Sequence, residues 1–414
     1  MNYGLIGEKL GHSFSADIHA LLGDYDYELK EIPCDGLEQF IKTADFKGIN
    51  VTIPYKQAVI PYLDYLDAGA KAIGAVNTVV NKNGKLYGYN TDFYGMHCLL
   101  RRIGAVPRGK KTIILGTGGT SKTALAVVKA MGGTEVYRVS RNPSDDTVSY
   151  EEAARNHSDA AIIINTTPVG MYPNTDACPI DINAFPALTA VADAVYNPLR
   201  SRLVQAATEK GISAEGGLFM LVAQAVRASE YFLGTVYAPE TVNTVYKTML
   251  RKKENIVLIG MPSCGKSTVG NILAARFGRA CVDTDRVIEA NEGVKISQIF
   301  AEKGESAFRD IESATVAEVS LSGGVVIATG GGAVLREENL RALRQNGRIY
   351  FLDRPLEKLI PTEDRPLANS IEAIKEKYNE RCGIYIEAAD VIIKVNDGSA
   401  MDAAECIIEE FFAE

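Results

Sequence analysis

The strongest chemical signal lies past the middle of the chain, at Gly260-Met261-Pro262-Ser263-Cys264-Gly265-Lys266-Ser267-Thr268. The apolar run Ile256-Val257-Leu258-Ile259 precedes it and a helix-like run, Val269 to Phe277, follows. A strand, a glycine-bounded loop, then lysine and a hydroxyl opening a helix is the layout that cradles the phosphates of ATP. The backbone N–H groups from Gly260 through Ser263, Cys264 and Gly265 to Thr268 face the phosphates, Lys266 adds a point charge, and Ser267 offers an oxygen to Mg²⁺. A second glycine-rich turn, Gly116-Thr117-Gly118-Gly119-Thr120-Ser121, follows the buried run Thr112-Ile113-Ile114-Leu115 and opens a helix from Lys122 to Met131. It lacks the lysine–hydroxyl ending, and the next strand, Glu135 to Val139, ends at Ser140-Arg141. Strand, glycine turn, helix and strand form the first half of a dinucleotide fold. A carboxylate at the end of the second strand would hold an NAD ribose. Arg141 stands there instead, which suits a 2′-phosphate and so NADP(H).

The elements that must position these residues read as α/β throughout. Tyr3 to Gly7, Tyr27 to Ile32 and Phe46 to Ile53 are strand-like, and Asn81-Lys82-Asn83-Gly84 is a hairpin turn signal. Asn90-Thr91-Asp92 precedes a helix from Tyr94 to Ile103, and Ala161 to Ile164 and Val191 to Val195 are buried strands. Polar residues gather at strand ends, where such sheets collect ligands. The chain divides into a substrate-binding region at 1–100 completed by helices from about 217–250, a Rossmann dinucleotide-binding region at 101–216, and a P-loop region at 255–414 with a parallel sheet. The 414 residues suit two or three domains of roughly 100–200 residues each. Net charge of −8 argues against general nucleic-acid binding. No apolar run reaches the roughly 20 residues of a membrane span. The N-terminus lacks a signal pattern, and the seven cysteines show no CxxC pairs, so a cytoplasmic enzyme with reduced thiols is expected.

Residues 1 to about 235 resemble shikimate dehydrogenase. The resemblance is carried by Gly11-His12-Ser13-Phe14-Ser15, Asn50-Val51-Thr52-Ile53-Pro54-Tyr55-Lys56, Gly74-Ala75-Val76-Asn77-Thr78, Asn90-Thr91-Asp92, Asn165-Thr166-Thr167-Pro168-Val169-Gly170-Met171 and Tyr196-Asn197-Pro198. It implies reduction of the ketone of 3-dehydroshikimate with NADPH. It makes Lys56 and Asp92 the acid/base pair and makes Ser13, Ser15, Asn50, Thr52, Asn77, Tyr196 and Gln224 substrate binders. Gly116, Gly118, Gly119, Thr120, Ser121, Ser140, Arg141, Thr166 and Met171 would line the NADP site. The residue reading agrees: a ketone taking hydride develops negative charge and needs a proton donor and a cation. Any one Ser or Asn here also fits turn or cap chemistry, Ser15 as a helix N-cap among them, and His12 fits a structural hydrogen bonder in a turn. Departures are Ala16 for a proline, Thr117 for an alanine, and Asp145 where a second base is usual.

From about residue 255 the chain resembles shikimate kinase. Beyond the opening loop, the matching stretches are Asp283-Thr284-Asp285, Phe308-Arg309-Asp310-Ile311-Glu312, Gly330-Gly331-Gly332, Arg365-Pro366-Leu367 and Tyr378 to Tyr385. The resemblance implies that Asp283 helps Ser267 hold Mg²⁺ and that Asp285 binds the acceptor hydroxyls and serves as base. Arg309 and Arg381 would bind the substrate carboxylate, Gly330 to Gly332 would let backbone approach the substrate, and Arg365 in a lid would reach the phosphates. Arg354 is a further nucleotide-side candidate. The loop departs from the family at Pro262-Ser263-Cys264, and the segment from Arg354 to Arg365 is short for a lid.

The expected protein is a bifunctional enzyme of aromatic amino acid biosynthesis. Its first half makes shikimate from 3-dehydroshikimate, and its second phosphorylates the shikimate 3-hydroxyl with ATP and Mg²⁺. Quinate as the first substrate, and a regulatory binding protein with one degenerate half, are the alternatives. The second predicts missing catalytic side chains, and Lys56, Asp92, Lys266, Asp285, Arg309 and Arg381 are all present.

Overall fold

Three sheets, each built on a short apolar run, carry the chain in the computed structural model, which describes residues 1–11, 13–359, 370–395 and 399–413. They fall into two units, Met1–Met249 and Leu250–Glu414. In the first unit, β1 (Tyr3–Gly7), β2 (Tyr27–Glu31), β3 (Gly48–Val51), β4 (Tyr65–Leu66), β5 (Thr78–Lys82) and β6 (Lys85–Tyr89) form a mixed sheet in the order β2-β1-β3-β5-β6-β4. β1 runs parallel to β2 and β3, while β5 pairs antiparallel with β3 and β6. Asn83 (φ 56°) and Gly84 (φ 83°) make the β5–β6 turn, with positive φ at both central positions as a tight hairpin requires.

The second sheet, β11-β10-β9-β7-β8, is all parallel: β7 (Thr112–Leu115), β8 (Val136–Val139), β9 (Ile162–Asn165), β10 (Ala190–Asp193) and β11 (Ser213–Glu215). β7, β9 and β10 are buried at every residue, which is why they read as unbroken apolar runs rather than alternating ones. The strand order reverses between β9, β7 and β8, placing the switch point at the end of β7 where Gly116 begins the turn. The helix Leu218–Leu233 returns to the first sheet and packs along the helix Asp92–Arg102.

In the second unit, β12 (Asn255–Ile259), β13 (Cys281–Asp283), β14 (Val326–Ala328), β15 (Gly347–Asp353) and β16 (Val391–Lys394) form a parallel sheet in the order β13-β14-β12-β15-β16. β12, the strand feeding the phosphate loop, is central and wholly buried. One core runs from Ile256–Ile259 through Leu273, Val316, Ile327 and Phe351 to Ile407 and Phe411. The helix Thr241–Lys253 crosses the boundary between the units. Val242, Val245, Tyr246 and Met249 are buried, and the Lys253 carbonyl accepts from Gly324 N (2.8 Å).

Candidate active sites

At the first sheet, Lys56 lies just after Pro54, where β3 gives way to a short turn of helix (Tyr55–Ala58), and Asp92 is the first residue of the helix Asp92–Arg102. The fold closes the 36-residue gap: Lys56 Nζ lies 2.6 Å from Asp92 Oδ2. Asp92 is buried and its other oxygen accepts from Asn77 Nδ2 (3.0 Å), while Asn90 Oδ1 accepts from the Asp92 N–H (2.9 Å). Asn77 also accepts from Thr91 N (2.7 Å), so the carboxylate is clamped by its neighbours and by the residue that leads into β5. Lys56 keeps a quarter of its side chain in solvent. An ammonium held by a fixed carboxylate and still partly accessible can donate a proton to a developing alkoxide.

Ser13 and Ser15 flank Phe14, whose ring meets Tyr196 edge-on at 5.3 Å, so the first loop and the strand end after β10 share one site. Burial raises the Tyr196 phenol. Ser15 is not the cap, because Phe14 holds the N-cap position and Ser15 is already inside the helix Ser15–His19; Ser13 Oγ accepts from Ser15 N (3.2 Å). Gln224 lies across Gly95, one turn beyond Asp92, where an added Cβ would sit 2.6 Å from Gln224 Cγ. Thr52 N donates to Ile6 O, and its methyl lies against Gly7. Asn50 does not belong with the expected substrate binders. Both of its amide hydrogens are committed, to Asn77 O (3.2 Å) and Thr78 Oγ1 (3.0 Å), and its oxygen accepts from Tyr27 (2.7 Å). It brackets β3 to β5 and β2 and leaves no donor for substrate. His12 lies outside the described residues.

At the switch point, Gly116 holds φ 103° against Thr166, whose Oγ1 donates to Leu115 O (2.5 Å). Gly118 and Gly119 face open space, with nothing within 4 Å of an added Cβ, at the first turn of the helix Gly119–Ala130. A pyrophosphate fits such a cradle: backbone N–H groups at a helix N-terminus without side chains in the way. Thr120 is half-buried, Ser121 fully buried, and Met171 exposed. The Ser140 hydroxyl is folded into its own turn, donating to Asn142 O (2.9 Å), while Arg141 extends into solvent beside Tyr150. Of this pair, only Arg141 is an exposed cation.

In the second unit the phosphate loop holds positive φ at Gly260 (141°), Ser263 (64°) and Gly265 (103°). Serine carries a Cβ that disfavours this conformation by about 1–2 kcal/mol, the physical content of the departure at Ser263. Lys266 Nζ turns back into the loop, donating to Gly260 O (2.8 Å) and Met261 O (2.9 Å), with the buried Cys264 Sγ at 3.8 Å. Ser267 Oγ donates to Asp283 Oδ2 (2.6 Å), and Asp283 Oδ1 accepts from Asp285 N (3.1 Å), capping the helix Thr284–Glu292. Among the described residues no group of three or more His, Cys, Asp or Glu could hold a metal. Ser267 and Asp283 fit Mg²⁺ that takes its remaining oxygens from phosphates and water.

The acceptor side is assembled around the three glycines after β14. An added Cβ at Gly332 would overlap Arg309 Nη1, one at Gly330 would lie 2.6 Å from Asp285 Oδ1 and 2.8 Å from Glu312 Oε1, and one at Gly331 2.8 Å from Pro262 Cδ. Space, not backbone conformation, therefore fixes glycine here. Gly330 N donates to Thr284 Oγ1 (2.9 Å), and Gly331 O accepts from Arg381 Nη1 (3.2 Å) and the Tyr385 hydroxyl. Arg309 is fixed by Glu312 (2.6 Å) and Glu305 (3.1 Å). Burial pushes the Glu312 carboxyl up against the pull of Arg309, with Asp285 raising it and Arg381 lowering it further, so these four groups form one electrostatic cluster. Arg381 is 3% exposed, and its Nε has no acceptor among the described residues. A buried guanidinium with an unmatched donor suits a planar carboxylate ligand. Arg365 lies outside the described residues. Glu312 and Tyr385 receive no role from the motifs alone, and the fold brings both to this site. The three-residue spacing from Arg309 to Glu312 on one helix face is the available sequence signal for the first.

An oxidoreductase on a Rossmann sheet followed by a P-loop phosphotransferase is the class these sites define. Residues 5–79 match the model of the shikimate dehydrogenase substrate binding domain, and residues 262–411 match that of shikimate kinase. The shikimate dehydrogenase (NADP(+)) of Clostridium perfringens strain SM101 is 36% identical over 265 residues, covering 60% of this chain and 97% of the relative. That of Clostridium beijerinckii is 40% identical over 245 residues, covering 55% and 90%. Among solved structures, a chorismate mutase/shikimate 5-dehydrogenase fusion protein from Clostridium acetobutylicum aligns with a TM-score of 0.57 at 33% identity, covering 60% of this chain and 96% of that one. Shikimate 5-dehydrogenase from Thermus thermophilus, in complex with NADP(H) and shikimate, aligns at 0.54 and 29% identity, covering 60% and 99%. The chain belongs to the shikimate dehydrogenase family and carries a shikimate kinase domain behind it, a bifunctional enzyme of the shikimate pathway.

Proposed function

We propose that the first unit reduces 3-dehydroshikimate to shikimate and that the second phosphorylates the 3-hydroxyl of that product. NADPH, when bound at the Gly116–Ser121 turn, supplies the hydride. Lys56 donates the proton to the oxygen of the reduced ketone, and Asp92, clamped by Asn77 and Asn90, holds Lys56 in line and accepts a substrate hydroxyl. Ser13, Ser15, Thr52, Tyr196 and Gln224 supply the small hydrogen-bonding groups that a polyhydroxy acid requires, while Asn77, whose amide hydrogens go to Thr91 and Asp92, acts by holding Asp92.

ATP with Mg²⁺, when bound on the P-loop, supplies the phosphoryl group. Lys266 leaves its loop carbonyls for phosphate oxygens, and Ser267 with Asp283 takes the metal. Asp285 accepts the hydrogen of the attacking hydroxyl, and Arg309 and Arg381 seat the carboxylate. The cytoplasm fits the cysteines, none of them disulfide-bonded.

The observation that carries this reading is the acceptor cluster itself. Two buried arginines and Asp285 surround a glycine floor, a site for a hydroxy acid, on the same chain as a family member that makes one. The test is one reaction containing the full chain, 3-dehydroshikimate, NADPH and ATP·Mg. NADPH oxidation is expected first, then ADP release that depends on it, with NADH much the poorer reductant. ADP release independent of 3-dehydroshikimate, or a clear preference for quinate in the reverse oxidation, overturns the assignment.

A further inference from the structure

β15 runs parallel to β12, with Phe351 paired to Ile259, so β15 continues through Leu352 and Asp353 beyond the end of β12. One leads into the phosphate loop and the other into Asp353 and Arg354. The two ends press together: an added Cβ at Gly260 would lie 2.9 Å from Leu352 O. Arg354 therefore leaves the sheet at the outer wall of the loop. Its Nη1 lies 3.9 Å from where a Gly265 Cβ would be, over the residue that opens the helix Lys266–Phe277. Pro355 follows at φ −53° and biases Arg354 toward extended backbone, which fixes the direction of approach.

This placement is unfavourable for an arginine in a protein without an anion. The helix N-terminus carries a partial positive charge of roughly half an elementary charge. Arg354 is half-buried, and its Nε is fully shielded with no acceptor among the described residues. A guanidinium at the positive end of a helix, with a shielded donor left unmatched, is suited to an anionic partner. Lys266 does not share the difficulty, because two loop carbonyls accept its hydrogens.

Resting on the reading of this loop as the ATP site, we infer that Arg354 is a nucleotide-binding residue of the kinase. Its guanidinium reaches over Gly265 to a phosphate oxygen of the bound nucleoside di- or triphosphate. The contact comes from the end of β15 rather than from the phosphate loop. The planar fork of arginine suits two oxygens of one phosphate group or of adjacent groups.

The test uses the full chain with ADP·Mg, measuring equilibrium binding by calorimetry and the ADP-induced rise in melting temperature. Arg354→Gln is expected to weaken ADP binding at least tenfold and to shrink the ADP-induced rise. Without nucleotide it should melt no lower than the parent, because it removes an unmatched charge. Arg354→Lys, which keeps the charge but not the fork, should bind between the two. AMP, which lacks the β-phosphate, should show a smaller difference between parent and variants if the contact is to the β-phosphate. ADP binding by both variants equal to the parent overturns the inference, and Lys266→Ala serves as the control for loss at the loop. If the parent itself fails to bind ADP, the nucleotide reading of the loop fails, and the inference with it.

Discussion

At the residue scale, the acceptor site is decided by what Gly332 lacks. Its missing Cβ would stand on top of Arg309 Nη1, and Arg309 cannot retreat because Glu312 and Glu305 hold it. Gly332→Ala must therefore break that pair or push the glycine floor away. The expected result is a rise in the KM for shikimate of roughly 10–100-fold, the worth of one charge-assisted contact. ADP binding at the phosphate loop should be unchanged. An unaltered KM would show that Arg309 does not touch the substrate. Residue identities are readable from the sequence where a motif names them, as at Lys266 or Arg309. What each side chain does with its bonds is not. Asn50 has the composition of a substrate binder and spends both donors between strands. Ser15 has the look of a cap, yet it lies inside the helix and Phe14 holds the N-cap position. Glu312 stands three residues after Arg309, yet its role depends on Gly330 and Asp285, which approach from distant segments.

At the scale of elements, both nucleotide sites sit where a buried parallel strand hands over to a helix. Those strands are legible because a strand covered on both faces is a continuous apolar run. Irregular stretches at strand ends are legible only as polar clusters, since their geometry is set by partners far along the chain. Asp193, at the end of β10, shows the consequence. It is fully buried and accepts from Asn165 Nδ2 (2.9 Å), Val195 N (2.9 Å) and Ser201 Oγ (2.5 Å), tying three segments of the Rossmann sheet together. Burial pushes its carboxyl up to about 6, against the pull of the three donors. A carboxyl raised in the folded state binds its proton more tightly there than in the unfolded chain. Its contribution to stability is thus full below about pH 4 and is lost as pH rises through about 6. A tenfold difference in proton affinity is worth about 1.4 kcal/mol, so the loss amounts to a few kcal/mol at most. Asp193→Asn should flatten this window. Comparing thermal inactivation of the dehydrogenase in parent and variant at pH 4, 5 and 6 isolates the contribution of this carboxyl. Parallel curves would mean that Asp193 does not titrate there.

At the scale of the whole molecule, the chain divides into two units with separate cores, and each carries candidate site residues of its own. Lys266 is buried within the second unit, and its bonds go to its own loop. Lys266→Ala is therefore expected to lower phosphoryl transfer roughly 100-fold or more while NADPH oxidation proceeds unchanged. Loss of both rates would mean that the first site depends on the integrity of the second. The division into two enzymes is visible in the order of motifs along the sequence. The sequence reads the join as a short charged bridge, Arg251 to Glu254, after a helix from Thr241, and in the structure Arg251, Lys252 and Lys253 belong to that helix. Its buried residues end at Met249, in the first unit. The carbonyls at and just past its end belong to the second: Arg251 O and Glu254 O accept from Arg279, and Lys253 O from Gly324 N. A gene split ahead of this helix would strip the dehydrogenase of Val242, Val245, Tyr246 and Met249. One split behind it would leave the kinase with unanswered donors at Arg279 and Gly324. The two activities separate cleanly as chemistry, but the polypeptide offers no seam there that both products could survive intact.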